Sequence, residues 1–324
     1  MGNNNLSSKS AFTTFPTGKQ PSGVAFSNVE SKIFVTNAGD NSVTVIKKIK
    51  ENDGTFVFSK MNDIPMPSSV GIIVCSPTDS VAHIVSLEKD ETYILDLSTS
   101  KIIQTIVSAK AIAFSPDGKK VYYNEGALVL VFHADNFGLK EIIYLDNAYA
   151  GTGLALLPDG SKAYVGGGGS DHTHENVAVI DAVNDKQISS ISAPGSTYMR
   201  LQNISSRNDG NKVLIITFGS GISFLDTDTD TFDYAIFENE LFSTITSNQA
   251  HPRSYAVTNG TYEGSIIPVI YVLDTTYTGE IVDLIHLENS DEYSSINIST
   301  DLDGFIYATD DKKNTITIFQ DKSL

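Results

Sequence analysis

One unit is written about seven times along this chain, and that repetition limits the possible folds more than any other property. The clearest copies are GVAFSNVESKIFVTNAGDNSVTVIKK (23–48), AIAFSPDGKKVYYNEGALVLVFH (111–133) and GLALLPDGSKAYVGGGG…NVAVID (153–181). Weaker copies start at GIIVCSPTDS, ISSRNDGNKV, STITSNQAHPRSYAVTN and INISTDLDGF. A spacing of about 40 to 50 residues is the period of propeller blades.

Every copy reads the same way. A short apolar strand ends in a turn such as Pro116-Asp117-Gly118, Pro158-Asp159-Gly160 or Asn208-Asp209-Gly210. Proline presets φ there, and glycine supplies the positive φ of a tight turn. A second strand rich in Tyr, Val and Ile follows, then a polar loop. The third strand alternates and closes on an acidic residue: Asp96, Asp181, Asp226 or Asp274. A Thr- or Ser-rich turn then leads to a fourth strand, as in KIIQTIV and KQISSIS. Period-2 alternation bounded by turn residues is the strand pattern, and no stretch carries a long helical period.

A sheet of four short strands is too small to stand alone, so several must pack radially. The last copy runs out after its third strand, at ITIFQDKSL, and SAFTTFPT near the other end of the chain supplies a fourth. The expected fold is therefore all-β: a seven-bladed β-propeller of four-stranded antiparallel blades, closed by an N-terminal strand joining the C-terminal blade. Residues 10–324 are expected to form one domain, and residues 1–9 a disordered polar lead-in.

KIFVTNAGDNSVTVI, SPDGKKVYY and YAVTN resemble the YVTN repeat of seven-bladed propellers, similar to the YncE type and to surface-layer proteins. These are packing and turn residues, so the resemblance implies blade architecture and says little about chemistry. Related propeller groups include lactonases, lyases and plain binding proteins. The resemblance thus implies a small-molecule or protein partner on one face, with a lactonase-like hydrolase, lyase or cyclase as the alternative.

Charge narrows the partners. The net charge of −17 opposes phosphate backbones, so nucleic acid is not expected as a ligand. The densest basic stretch, Lys47 to Lys50, is followed at once by Glu51 and Asp53. No apolar run reaches the ~20 residues that span a bilayer. The N-terminus shows no basic region followed by an apolar one, which suits a cytoplasmic protein as written, or an exported one whose signal was trimmed. The single thiol, Cys75, excludes an intrachain disulfide framework and sits in the apolar run GIIVCS, where a buried, inert cysteine is expected. A monomer is expected.

Irregular loops on a rigid scaffold are where function usually sits. The loops between second and third strands, together with the segments connecting successive blades, share one face and vary most. At the channel mouth they bring up Lys19, Lys110, Tyr149, Thr152, Tyr198, Arg200, Glu292 and Tyr293 as candidate ligand-binding residues. Arg200 beside Tyr198 could clamp an anion bidentately, or bridge to a neighbouring blade.

On the same face lies GGGGSDHTHE. His172 and His174, spaced to point one way in an extended segment, with Asp171 or Glu175, form a candidate divalent-metal set. The bland alternative is a solvated loop, because four glycines hold ligands poorly. DTDTDTFD (226–233) suggests calcium, but Thr231 and Phe237 stand where an EF-hand needs Gly and Glu, so an ordinary turn is expected. His83, His133, His251 and His286 are dispersed, and no nucleophile elbow, P-loop or dinucleotide fingerprint occurs. No nucleotide cofactor is expected; a divalent metal is the one cofactor left open.

Overall fold

The computed structural model describes residues 11–146, 153–168, 175–192, 201–217, 221–237, 241–262, 265–276, 279–287, 290 and 294–321. Among them it forms strands and no helix. β1 (Thr13–Pro16) precedes the first blade, which holds β2 (Pro21–Ser27), β3 (Lys32–Asn37), β4 (Ser42–Lys50), β5 (Phe56–Lys60) and the short β6 (Ile64–Pro65). Blade two holds β7 (Val70–Cys75), β8 (Val81–Ser86), β9 (Glu91–Asp96) and β10 (Lys101–Val107). Blade three holds β11 (Ala111–Phe114), β12 (Lys120–Asn124), β13 (Leu128–His133) and β14 (Leu139–Tyr144). Blade four holds β15 (Leu154–Leu156), β16 (Lys162–Gly168), β17 (Glu175–Asp181) and β18 (Lys186–Ser192). Blade five holds β19 (Leu201–Ser206), β20 (Lys212–Thr217), β21 (Gly221–Asp226) and β22 (Thr231–Ile236). Blade six holds β23 (Phe242–Ser247), β24 (Arg253–Tyr262), β25 (Ser265–Asp274) and β26 (Glu280–His286). The seventh holds β27 (Ile296–Thr300), β28 (Phe305–Asp310) and β29 (Thr315–Gln320).

The main sheet of each blade is an antiparallel meander in chain order, the first adding β6 against β4. The exception is the seventh, ordered β1-β29-β28-β27, whose outer strand comes from the start of the chain. β1 pairs Thr13 with Ile318 and Pro16 with Thr315, as the truncated last repeat required.

The core lies between blades rather than within them. Seven apolar clusters each join one blade to the next, including the pair that closes the ring. A four-stranded sheet has two faces to hide, and only its neighbours can cover both. The second and third strands supply most of the fully buried side chains, Tyr122, Tyr123, Tyr164, Tyr255 and Tyr307 among them.

At the closure, Lys48 of β4 reaches into blade seven. Its Nζ lies 2.5 Å from Asp301 Oδ2 and 2.6 Å from Asp303 Oδ2, and 4.5 Å from the ring centroids of Phe56 and Phe305. Composition alone presents Lys47 to Lys50 as a basic surface stretch, yet Lys48 is buried. Tyr307 also donates its hydroxyl to Asp301.

The Asp-rich stretch at 226–233 forms the β21–β22 turn. Asp226 Oδ1 accepts the N–H groups of Asp228 (3.1 Å) and Thr229 (3.0 Å), while its Oδ2 takes Lys212 Nζ at 2.8 Å. Asp230 takes Lys162 Nζ at 2.8 Å and Tyr164 Oη at 2.7 Å from blade four. Protein donors hold both carboxylates, which explains the alternation without calcium. Cys75 ends β7 partly buried, and its surroundings push the thiol up to about 12.

Candidate functional site

The loop-rich face carries an open pocket of about 460 Å³ at the seam between blades seven and one. Three segments build it: Thr17–Gln20 connecting β1 to β2, the β3–β4 loop, and the β28–β29 loop. Hydrogen bonds lock them together. The N–H of Gly39 donates to Lys19 O and that of Ala38 to Gln20 O, both at 2.9 Å. Lys19 N–H donates to Asp40 Oδ2 at 2.6 Å, and Gln20 N–H to Asn314 Oδ1 at 2.7 Å. A Cβ at Gly39 would come within 2.9 Å of Lys19 Cβ, so the close crossing of the two loops requires glycine there.

Two ammonium groups stand at this pocket. Lys19 is exposed, and its Nζ has no partner among the described residues. Lys312 Nζ lies 3.8 Å from Asp311 Oδ2, a long pair with an exposed lysine and therefore a weak one. The β28–β29 loop that carries Lys312 is pinned by Asp310, whose Oδ1 accepts the N–H groups of Lys312 and Lys313 at 3.0 Å. Asp310 also accepts the Ser294 and Ser290 hydroxyls at 3.0 and 2.5 Å. Flexible cationic arms thus spring from a fixed backbone frame.

A second grouping lies between blades two and three on the same face. Lys110, in the segment from β10 to β11, donates its N–H to Asn124 O at 2.8 Å. The next residue along, Glu125, has a buried Oε1 without a hydrogen-bond donor. Burial first, and then the charge of Asp90, raise the Glu125 pKa above the ordinary carboxylate range, while Lys110 opposes the rise. Glu125 is absent from the sequence-derived candidates because Asn124-Glu125-Gly126 reads as a plain turn. Only burial distinguishes it.

The predicted residues divide accordingly. Lys19 and Lys110 sit on blade-connecting segments, as expected, but in separate groupings. Tyr149, Thr152, Tyr198, Arg200, Glu292, Tyr293, Asp171, His172 and His174 lie outside the described residues. Glu175 opens β17, its backbone paired with Gly168. Gly166, Gly167 and Gly168 belong to β16, so most of GGGG is strand ladder where the sequence suggests loop. Among the described residues, no group of three or more His, Cys, Asp or Glu is arranged to hold a metal. His83 is fully buried, its Nδ1 2.6 Å from Tyr123 Oη. No helix among the described residues is long and apolar enough to cross a membrane.

No family model and no curated protein sequence matches the chain. Among solved structures, a chain of Kuenenia stuttgartiensis hydrazine synthase superposes with a TM-score of 0.74, covering 99% of each chain at 14% identity. The likeness is one of fold. With its seven blades the chain is a β-propeller, and the narrower YVTN resemblance rests on its motifs alone.

Proposed function

We propose that this chain is a non-catalytic binding propeller, of the YVTN type its motifs resemble, whose loop-rich face takes a small anionic ligand. The observation that carries this reading is the Lys19–Lys312 pocket: two ammonium groups, one without a protein partner, over a rigid frame on a chain of net charge −17. An unpaired cation on so acidic a molecule favours a carboxylate or phosphate, and the weakly paired Lys312 beside it favours a di- or tri-anion. Tyr149, Thr152, Tyr198, Arg200, Glu292 and Tyr293 are proposed to extend the same surface. Calorimetric titration with citrate and inorganic phosphate tests the reading. Saturable binding that weakens about tenfold in Lys19→Ala and in Lys312→Ala supports it. Failure of both anions to bind at millimolar concentration, or binding indifferent to both substitutions, refutes it.

One observation favours a second reading, a propeller enzyme of the lactonase-like hydrolase, lyase or cyclase kind. Glu125 combines a raised pKa with an unpartnered buried oxygen beside Lys110, which suits a general acid. His172, His174, Asp171 and Glu175 would be its proposed divalent-metal set. Stoichiometric zinc, manganese or iron in the purified protein, lost on His172→Ala with His174→Ala, would select this reading over the first.

A further inference from the structure

The opposite face repeats an inter-blade clasp. Lys120 and Tyr122 of blade three both reach Asp185 in the third-to-fourth-strand turn of blade four, at 2.7 and 2.6 Å. Lys120 also donates to Ala182 O. One blade on, Lys162 and Tyr164 reach Asp230 in the same way, at 2.8 and 2.7 Å, with Thr227 O accepting from Lys162 at 2.7 Å. The receiving aspartates hold positive φ values of 51° and 52°.

Between blades two and three every member of this clasp is replaced. The turn bonds of Ala134 N–H to Lys119 O and of Ala182 N–H to Ser161 O, both 2.9 Å, fix the register of the repeats. In that register Val81 stands where Lys120 and Lys162 stand, and His83 where Tyr122 and Tyr164 stand. Phe137, with φ 57°, takes the place of the aspartate. The space a lysine stem would cross is open as a cavity of about 590 Å³. Val81, Ile103 and Phe137 give it an apolar lining, with Ile103 about half exposed. Behind Phe137 the buried His83 keeps an Nε2 without a hydrogen-bond partner.

The rim is acidic. Asp79, Asp117 and Asp135 surround the cavity against one ammonium, that of Lys119, itself 3.3 Å from Asp117 Oδ2. Asp79 receives only the hydroxyl of Thr78, and Asp135 has no side-chain partner among the described residues. His133 lies on the same rim. The carboxylates outnumber the cation by two.

We propose that this cavity is a binding site for a free aliphatic diamine, which stands in for the missing clasp lysine. Its carbon chain lies over Val81, Ile103 and Phe137, and its ammonium groups meet the rim aspartates. Apolar burial of an alkyl stem with its cationic head at carboxylates is how the two neighbouring clasps are built from the chain's own lysines. Two positive charges match the excess on the rim, as one would not.

The test is calorimetric titration of the intact chain with cadaverine, pentylamine and pentanediol. Cadaverine should bind saturably, pentylamine about tenfold more weakly, and the neutral diol not at all. The double variant Val81→Lys with Phe137→Asp rebuilds the clasp and should abolish cadaverine binding while raising the thermal midpoint. Should that variant fail to fold, Asp117→Asn with Asp135→Asn, on exposed side chains, should weaken cadaverine about tenfold or more. Lys19→Ala, on the other face, should leave it unchanged. The proposal is overturned if cadaverine does not bind at millimolar concentration, if the diol binds equally well, or if rebuilding the clasp leaves binding intact. Tighter binding of Nα-acetyl-lysine methylamide than of cadaverine would also overturn it, and would give the cavity to a lysine of a protein partner.

Discussion

Replacing Lys48 by methionine should weaken the ring where it closes. Methionine keeps the unbranched stem and its packing, so the change isolates the ammonium. The carboxylate left behind at Asp301 is 1% exposed, whereas that of Asp303 is 45% exposed and can turn to water. Removing one partner of a buried pair costs about 3–5 kcal/mol, most of it the uncompensated charge. Asp301 keeps the Tyr307 hydroxyl and the N–H groups of Asp303 and Phe305, each N–H at 3.0 Å, which argues for the lower end, about 3 kcal/mol. At about 2 °C per kcal/mol for a chain of this size, the midpoint should fall by about 6 °C in thermal unfolding followed by circular dichroism. Asp303→Asn should cost under about 1 kcal/mol, because the Asp303 carboxylate is itself nearly half exposed. Adding Asp301→Asn to Lys48→Met should cost less than the two single changes together, with a coupling of about 1–3 kcal/mol. A Lys48→Met midpoint within about 1 °C of the parent would refute the claim that this ion pair secures the closure.

Three further outcomes follow from groups whose surroundings are unusual. Glu125 is held above its ordinary pKa, so its ionisation opposes folding; Glu125→Gln should raise the midpoint at neutral pH, with the gain vanishing as pH falls below 4.5. Burial holds His83 down from 6.5 to about 3, so stability is intact above the upper value and is lost toward the lower one. A His83→Phe variant should therefore lose less of its midpoint over that interval than the parent does. Gly118 and Gly160 share positive φ values of 70° and 72°, yet an added Cβ would overlap Thr78 Oγ1 at Gly118 and meet only Pro116 Cδ, at 3.6 Å, at Gly160. Denaturant titration should find Gly118→Ala the costlier change, and equal costs would show that the backbone term alone decides.

The architecture was legible because its signals are local and repeated. Pro-Asp-Gly turns, alternating strands and the incomplete seventh copy fix blade number and closure without any knowledge of side-chain contacts. The same local reading explains the Asp226–Asp233 stretch as a turn. What it misses are residues whose roles depend on a neighbouring blade. Lys48 looks like one cation among several in KKIK, and only the approach of Asp301 from far along the chain makes it a core residue. Glu125 sits in an unremarkable turn, and its lack of a donor is a property of the assembled loops. The glycines before His172 suggest slack, but a ladder with Glu175, Asn176 and Val177 straightens three of them. Phase within the repeat placed Lys19 and Lys110 on the correct segments, while the separation between their groupings required tertiary structure.

The seventh sheet has a consequence for how the protein is made. Its outer strand β1 is made before β2 to β28 and its partner β29 after them, so β1 must wait unpaired while the intervening blades are synthesised. Until then the nascent chain is an arc with two raw sides, each able to pair with the wrong neighbour. Synthesis speed and chaperone cover at that stage, more than equilibrium stability, should therefore govern the yield of correctly sealed molecules.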